Sequence, residues 1–212
     1  MPGFICHLAC ANTVWKERKD LDYTKFVLGN ITPDLAKDKQ KSHFRVPNGN
    51  GWYIPNILEV EKTLLKPDSS FLGMYCHLFL DYFFISNYLS RRYRFHPESN
   101  IVENLETGEI WDGNVFLSPK GLYGSYSDTN QALLDDGFLP DEVFKLPDSI
   151  PKTNLSIFDD RNDSNWLEDT KKYLLPPKED CIKVFSLEEY EDLITRGANL
   201  FLDKISGLET LD

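Results

Sequence analysis

Apolar and polar positions along this chain recur mostly with a helical period. From Phe4 to about Lys19, the residues Phe4, Leu8, Ala11 and Trp15 fall on one face, which predicts an amphipathic helix starting near Pro2, a residue that helix starts tolerate. "YTKFVLGN" extends the helical pattern to Gly29 or Asn30. "ITPDLAKDKQKSHF" then reads as a loop, because Pro33 disfavours the helical region for Thr32. "NILEVEKTLL" predicts a helix between Pro55 and Pro67. Next comes "FLGMYCHLFLDYFF", Phe71 to Phe84, the most apolar run in the chain. It predicts a buried helix with its cap at Asp68 or Ser69–Ser70, running to about Tyr93.

Residues 95–125 mix turn dipeptides with short apolar pieces and predict a small hairpin or irregular insertion. "DTNQALLDDG" reads as a short helix capped by Asp128 and ending at Gly137. "DSNWLEDTKKYLL" reads as another, halted by Pro176–Pro177. "SLEEYEDLITRGANLFLDKISG" opens with a capping box, Ser186 to Glu189. The expected fold class is all-α, a helical bundle. With 212 residues, no separating linker and no internal repeat, the expectation is one domain spanning 1–212.

Composition narrows the function classes. The formal charge of −11 argues against a non-specific nucleic-acid binder, which needs a basic face. It argues equally against electrostatic docking on an anionic membrane. Of the four cysteines, Cys6, Cys10, Cys76 and Cys181, none forms a CxxC pair, and they read as small hydrophobes in a reducing compartment. The N-terminus lacks the basic-then-apolar order of a signal peptide, and the central run is too short and too polar for a membrane span. A cytoplasmic location is expected, and the oligomeric state is left open.

The central run poses a chemical question, because it carries His77 and Asp81 among apolar residues. At i and i+4 they share a helix face, about 6 Å apart along the axis. They can satisfy each other as a buried hydrogen-bonded pair, or both can reach one metal ion. Asp34, in "TPDL", and His43, in "KSHF", are loop groups able to close around such a helix; Asp34 can also be a cap and His43 a surface residue. His7 sits one turn into an apolar helix.

The ordered set of His7 in "MPGFICH", Asp34 in "FVLGNITPD", His43 after Ser42, and His77-x-x-x-Asp81 resembles the zinc-dependent phospholipase C family, in particular its bacterial cytoplasmic-type members. The resemblance covers residues 1–90, and "SYSDTNQALL" is also similar to a stretch in such members. It implies an all-α fold with a metal cluster in a cleft, and His7, Asp34, His43, His77 and Asp81 as ligands. Asp128 stands in for a ligand the chain lacks, its rival role being a helix N-cap. The implied activity is zinc-dependent hydrolysis of a phosphodiester or phospholipid-headgroup substrate, with Asp34 taking a proton from water. The chain departs from the pattern where secreted members use a processed N-terminal tryptophan and a later His-x-x-x-Glu pair. His96 lies about 22 Å beyond Asp81 along a continuous helix. One or two zinc ions are therefore expected rather than three. The alternative is a non-catalytic metal- or partner-binding protein that keeps the fold.

Overall fold

The structure, a computed structural model, describes residues 3–147, 149, 150, 153–162, 165–172, 174 and 181–208. It is mainly α, with two small antiparallel sheets among the described residues. Four helices carry the centre: α1 (Phe4–Glu17), α2 (Tyr23–Leu35), α5 (Ser69–Phe84) and α10 (Leu187–Ile205). Shorter ones, α3 (Lys39–Ser42) and α4 (Ile57–Leu64), lie between α2 and α5, and α6 (Ser90–Arg92), α7 (Gly113–Phe116), α8 (Leu122–Asp135) and α9 (Trp166–Lys172) follow. The buried core draws on all four central helices, from Ile5 and Phe26 through Leu78 and Phe84 to Phe201. No helix among the described residues is long and apolar enough to cross a membrane.

The starts of α2, α5 and α10 follow from their caps. The Asp22 carboxylate accepts from the Lys25 N–H at 2.9 Å, and Asp68 accepts from the Phe71 N–H at 3.0 Å, each satisfying a donor the helix leaves open. The Ser69 hydroxyl accepts from the Asp22 N–H at 2.9 Å, which ties the starts of α2 and α5 together. From there the two helices run side by side in the same direction. Glycines set their spacing: a Cβ on Gly73 would lie 2.1 Å from the Phe26 carbonyl oxygen, and one on Gly29 would lie 2.2 Å from the Ser70 carbonyl oxygen. Only hydrogen at these positions lets the backbones touch.

Three local expectations change. The helix expected to stop at Gly29 or Asn30 continues through Pro33 to Leu35. Burial of Ile31, Thr32 and Pro33 outweighs the local bias before proline, and Thr32 Oγ1 donates to the Leu28 carbonyl at 2.8 Å. The segment expected as a loop therefore holds the end of α2 and all of α3. The central helix reaches Arg92 through a π-helical stretch, Ile85–Leu89, and a strand begins at Tyr93. The helix expected to start at Asp128 starts instead at Leu122, so Asp128 is mid-helix and is not a cap. The first helix, expected from Phe4 to about Lys19, runs Phe4–Glu17; Pro2 and the expected Pro176–Pro177 stop lie outside the described residues.

The insertion forms β3 (Tyr93–His96), β4 (Ile101–Asn104) and β5 (Ile110–Asp112), paired antiparallel in that order. A smaller hairpin, β1 (Arg45–Pro47) with β2 (Tyr53–Pro55), follows α3. At the far end of the bundle, Glu189 closes the capping box of α10 and pairs with Arg92 and Tyr88. Burial pushes its carboxyl up, but Arg92 and the hydrogen bonds from Ser186 and Tyr88 outweigh that and hold it at about 2.

Candidate metal centre

Five ligand-type side chains from four stretches of chain meet between α1, α2 and α5. His7 comes from the second turn of α1, and Asp34 from the last turn of α2. His43 follows α3 directly, and Phe44 after it turns the chain away with a positive φ of 49°. His77 and Asp81 come from α5. Asp81 is central: its Oδ1 lies 3.3 Å from His7 Nε2, and its Oδ2 lies 3.7 Å from His43 Nε2 and 3.8 Å from His77 Nε2. Asp34 Oδ1 lies 3.3 Å from His43 Nε2, and its Oδ2 lies 3.9 Å from His77 Nε2. The Nε2 atoms of His43 and His77 are 3.4 Å apart. The rings of His7 and His77 stack at 3.6 Å.

These distances suit a cation. Ligand atoms about 2.1 Å from a tetrahedral ion stand about 3.4 Å from one another, close to the 3.3–3.9 Å found here. Two triads can hold an ion, His7–His77–Asp81 and Asp34–His43–His77, and they share His77. The buried polar atoms point the same way. Both nitrogens of His7, Nδ1 of His77 and both oxygens of Asp81 have no hydrogen-bond partner among the described residues. Leaving such a group unsatisfied costs about 1–3 kcal/mol, more if charged. A purely structural His–Asp pair would not leave both carboxylate oxygens of Asp81 in that state.

Protonation favours ligation as well. Burial, with the neighbouring His7 ring, pushes His77 down to about 3, so it is neutral at pH 7. Burial pushes the Asp81 carboxyl up, but the His7 imidazole 3.3 Å from Oδ1, with those of His77 and His43, outweighs it and holds Asp81 below its usual range. Asp34 is held well below its usual range, burial being outweighed by His77, His43 and Lys39. Metal binding needs neutral imidazole and ionised carboxylate.

Ser42 fixes the His43 ring. Its hydroxyl lies 3.1 Å from the Pro33 carbonyl, which can only accept, and 2.9 Å from His43 Nδ1. The hydroxyl proton goes to the carbonyl, so Nδ1–H donates to Ser42 Oγ and the Nε2 lone pair faces the cluster. Ser42→Ala is expected to weaken metal affinity by roughly 10–100-fold, the usual cost of losing such an orienting partner. Metal titration of the folded variant checks this; unchanged affinity would leave His43 outside the ligand set.

The remaining expected residues lie elsewhere. Asp128 is not in the cluster: it faces Lys183 on an exposed side of α8 and forms an ion pair there. His96 bonds Glu103 across β3 and β4 at 3.0 Å. Arg91, Arg92 and Arg94 bind Asn87, Glu189 and Glu103 respectively.

Among the described residues the cluster meets the surface at Asp34, which borders two clefts, one of about 460 Å³ with Leu35, Asn162 and Trp166 and a larger one. His7, His43, His77 and Asp81 are fully buried, whereas the Asp34 side chain is 14% exposed. Asp34 borders a cleft of about 740 Å³ together with Lys39 and Arg45. The opposite wall is α8, which presents Tyr123, Tyr126, Ser127 and Asn130. Sequence reasoning missed both walls: the segment holding Lys39 reads only as a loop, and the i, i+3, i+4, i+7 spacing of the α8 residues was the available signal.

The chain matches no family model, no curated protein and no solved structure.

Proposed function

We propose that this chain is a zinc-dependent hydrolase of phosphoric ester bonds, on a helical bundle of the zinc-dependent phospholipase C type. The observation that supports this reading is the convergence of His7, Asp34, His43, His77 and Asp81 beneath a cleft that Asp34 borders, with neither Asp81 oxygen hydrogen-bonded among the described residues. Nitrogen and carboxylate donors at these spacings suit zinc, and the two triads accommodate one or two ions. Bound there, zinc supplies Lewis acidity toward a phosphoryl oxygen and lowers the pKa of water. The chain's own groups do the rest. His7, His43 and His77 supply nitrogen donors, two of them, His7 and His77, from the apolar helices α1 and α5. Asp34, ionised and at the mouth of the cleft, is placed to accept a proton from attacking water. The buried surround strengthens each charge interaction.

A second reading, metal held for stability alone, is favoured by the full burial of four of the five groups. The two are separated by measuring zinc per chain on protein purified without chelator, then turnover of p-nitrophenyl phosphate and bis(p-nitrophenyl) phosphate. Zinc binding with turnover that disappears on chelation supports the hydrolase. Zinc without turnover of any phosphoric ester supports the structural metal, and absence of zinc binding overturns both. In either metal reading, chelation is expected to lower the melting temperature by on the order of 5–10 °C at a hundredfold excess of zinc over Kd.

A further inference from the structure

The cleft beyond Asp34 is electrostatically unlike the rest of the chain. The molecule carries −11 overall, yet the ionisable residues lining this cleft are two cations, Lys39 and Arg45, against one carboxylate, Asp34. Lys39 lies 3.4 Å from Asp34 Oδ1, so a positive group stands directly beside the exit of the cluster. Arg45 opens β1, two residues after His43, and is held by the hairpin β1–β2. A guanidinium on a strand can bind a phosphate with two parallel donors.

The opposite wall is of another kind. Tyr123 and Tyr126 lie one turn apart on α8, with ring centres 6.2 Å apart. Tyr123 is half exposed, and Tyr126 is buried. The Tyr126 hydroxyl has no hydrogen-bond partner among the described residues, although it lines the cleft. An aromatic face with one unused hydroxyl suits a flat organic group and the ester oxygen that joins it to phosphorus.

We propose that the cleft takes a phosphomonoester, with Lys39 and Arg45 holding a terminal, doubly charged phosphate beside Asp34 and the Tyr123–Tyr126 face of α8 holding the organic group. The assignment rests on the hydrolase reading and specifies its substrate class. A diester carries one negative charge, and its second organic arm would have to lie where the two cations are.

The test uses binding to the zinc-loaded full chain by calorimetry, with phenyl phosphate, diphenyl phosphate and inorganic phosphate as probes, after zinc per chain has been measured for each protein. Lys39→Ala and Arg45→Ala are each expected to weaken phenyl phosphate on the order of tenfold, the worth of one charge-assisted hydrogen bond, and to affect diphenyl phosphate less. Tyr123→Ala is expected to weaken phenyl phosphate several-fold and leave inorganic phosphate unchanged. If both cation variants bind zinc as wild type does and bind phenyl phosphate equally well, the inference is overturned and the hydrolase reading stands. Equal losses for both esters overturn the assignment to a terminal phosphate. Wild type that binds no zinc overturns the hydrolase reading and the substrate class together.

Discussion

Asp81→Asn protein is expected to fold and to bind zinc at least about 100-fold more weakly than wild type, the upper end of what even an outer partner of a ligand costs. The substitution keeps size and one acceptor oxygen. It removes the charge that both triads lean on, and it turns two N–H donors toward the imidazole nitrogens of His7, His43 and His77, each 3.3–3.8 Å from the carboxylate. The two roles for Asp81 differ in the metal-free protein. As a ligand, Asp81 has no hydrogen bond to a protein group to lose among the described residues, so metal-free Asp81→Asn should melt close to metal-free wild type. A residue that merely pairs with a core histidine should instead lose about 1–2 kcal/mol on becoming neutral, with zinc stoichiometry unchanged. Equilibrium dialysis with zinc, alongside melts in chelator, reads both quantities. Wild-type affinity in the variant would remove Asp81 from the ligand set.

Gly73→Ala is the second large effect expected. Alanine favours a helix over glycine by about 1 kcal/mol, so a surface glycine in α5 would gain stability from the change. At position 73 the new Cβ meets the Phe26 carbonyl oxygen at 2.1 Å and the Asn30 nitrogen at 2.8 Å, both backbone atoms that cannot rotate away. Overpacking costs about 1–3 kcal/mol, occasionally more, so the net sign is destabilising. The helices must separate, one turn before His77 on α5 and close to Asp34 on α2, and zinc affinity should fall together with stability. Gly197→Ala is the control: its Cβ would meet the Leu80 Cδ1 methyl at 2.6 Å, the end of a flexible side chain, and Phe83 Cδ1 at an ordinary contact distance of 3.5 Å. A Gly73→Ala protein that melts and binds zinc as wild type does would contradict the backbone contact.

The sequence revealed the parts of the site that obey local rules. The apolar run and its Asp68 cap made α5 legible, and the i, i+4 spacing put His77 and Asp81 on one face. The capping box made α10 legible for the same reason. The misreadings lie where tertiary burial overrides a local signal. Pro33 argued for a loop, yet α2 runs through it, and that added turn is what carries Asp34 to the cluster. "LYGSYSD" is rich in weak helix formers, so the first turns of α8 were missed and Asp128 was taken for a cap or a ligand. Ser42 was read as part of a motif, and its hold on the His43 tautomer depends on the Pro33 carbonyl, which only the fold brings near. Lys39 and Arg45 carry no pattern that distinguishes them from solvated charges until the cleft is seen.

The order of the helices along the chain sets a timetable for assembly. All five residues of the cluster lie at or before Asp81, while α10, which packs against both α1 and α5, begins at Leu187. During synthesis at about 5–20 residues per second, the intervening roughly one hundred residues take on the order of 5–20 s. For that interval the nascent chain presents three histidines and two aspartates without the helix that later packs against two of the segments carrying them. A cation captured then would act as a template, drawing the first three segments together before the ribosome has delivered their lid.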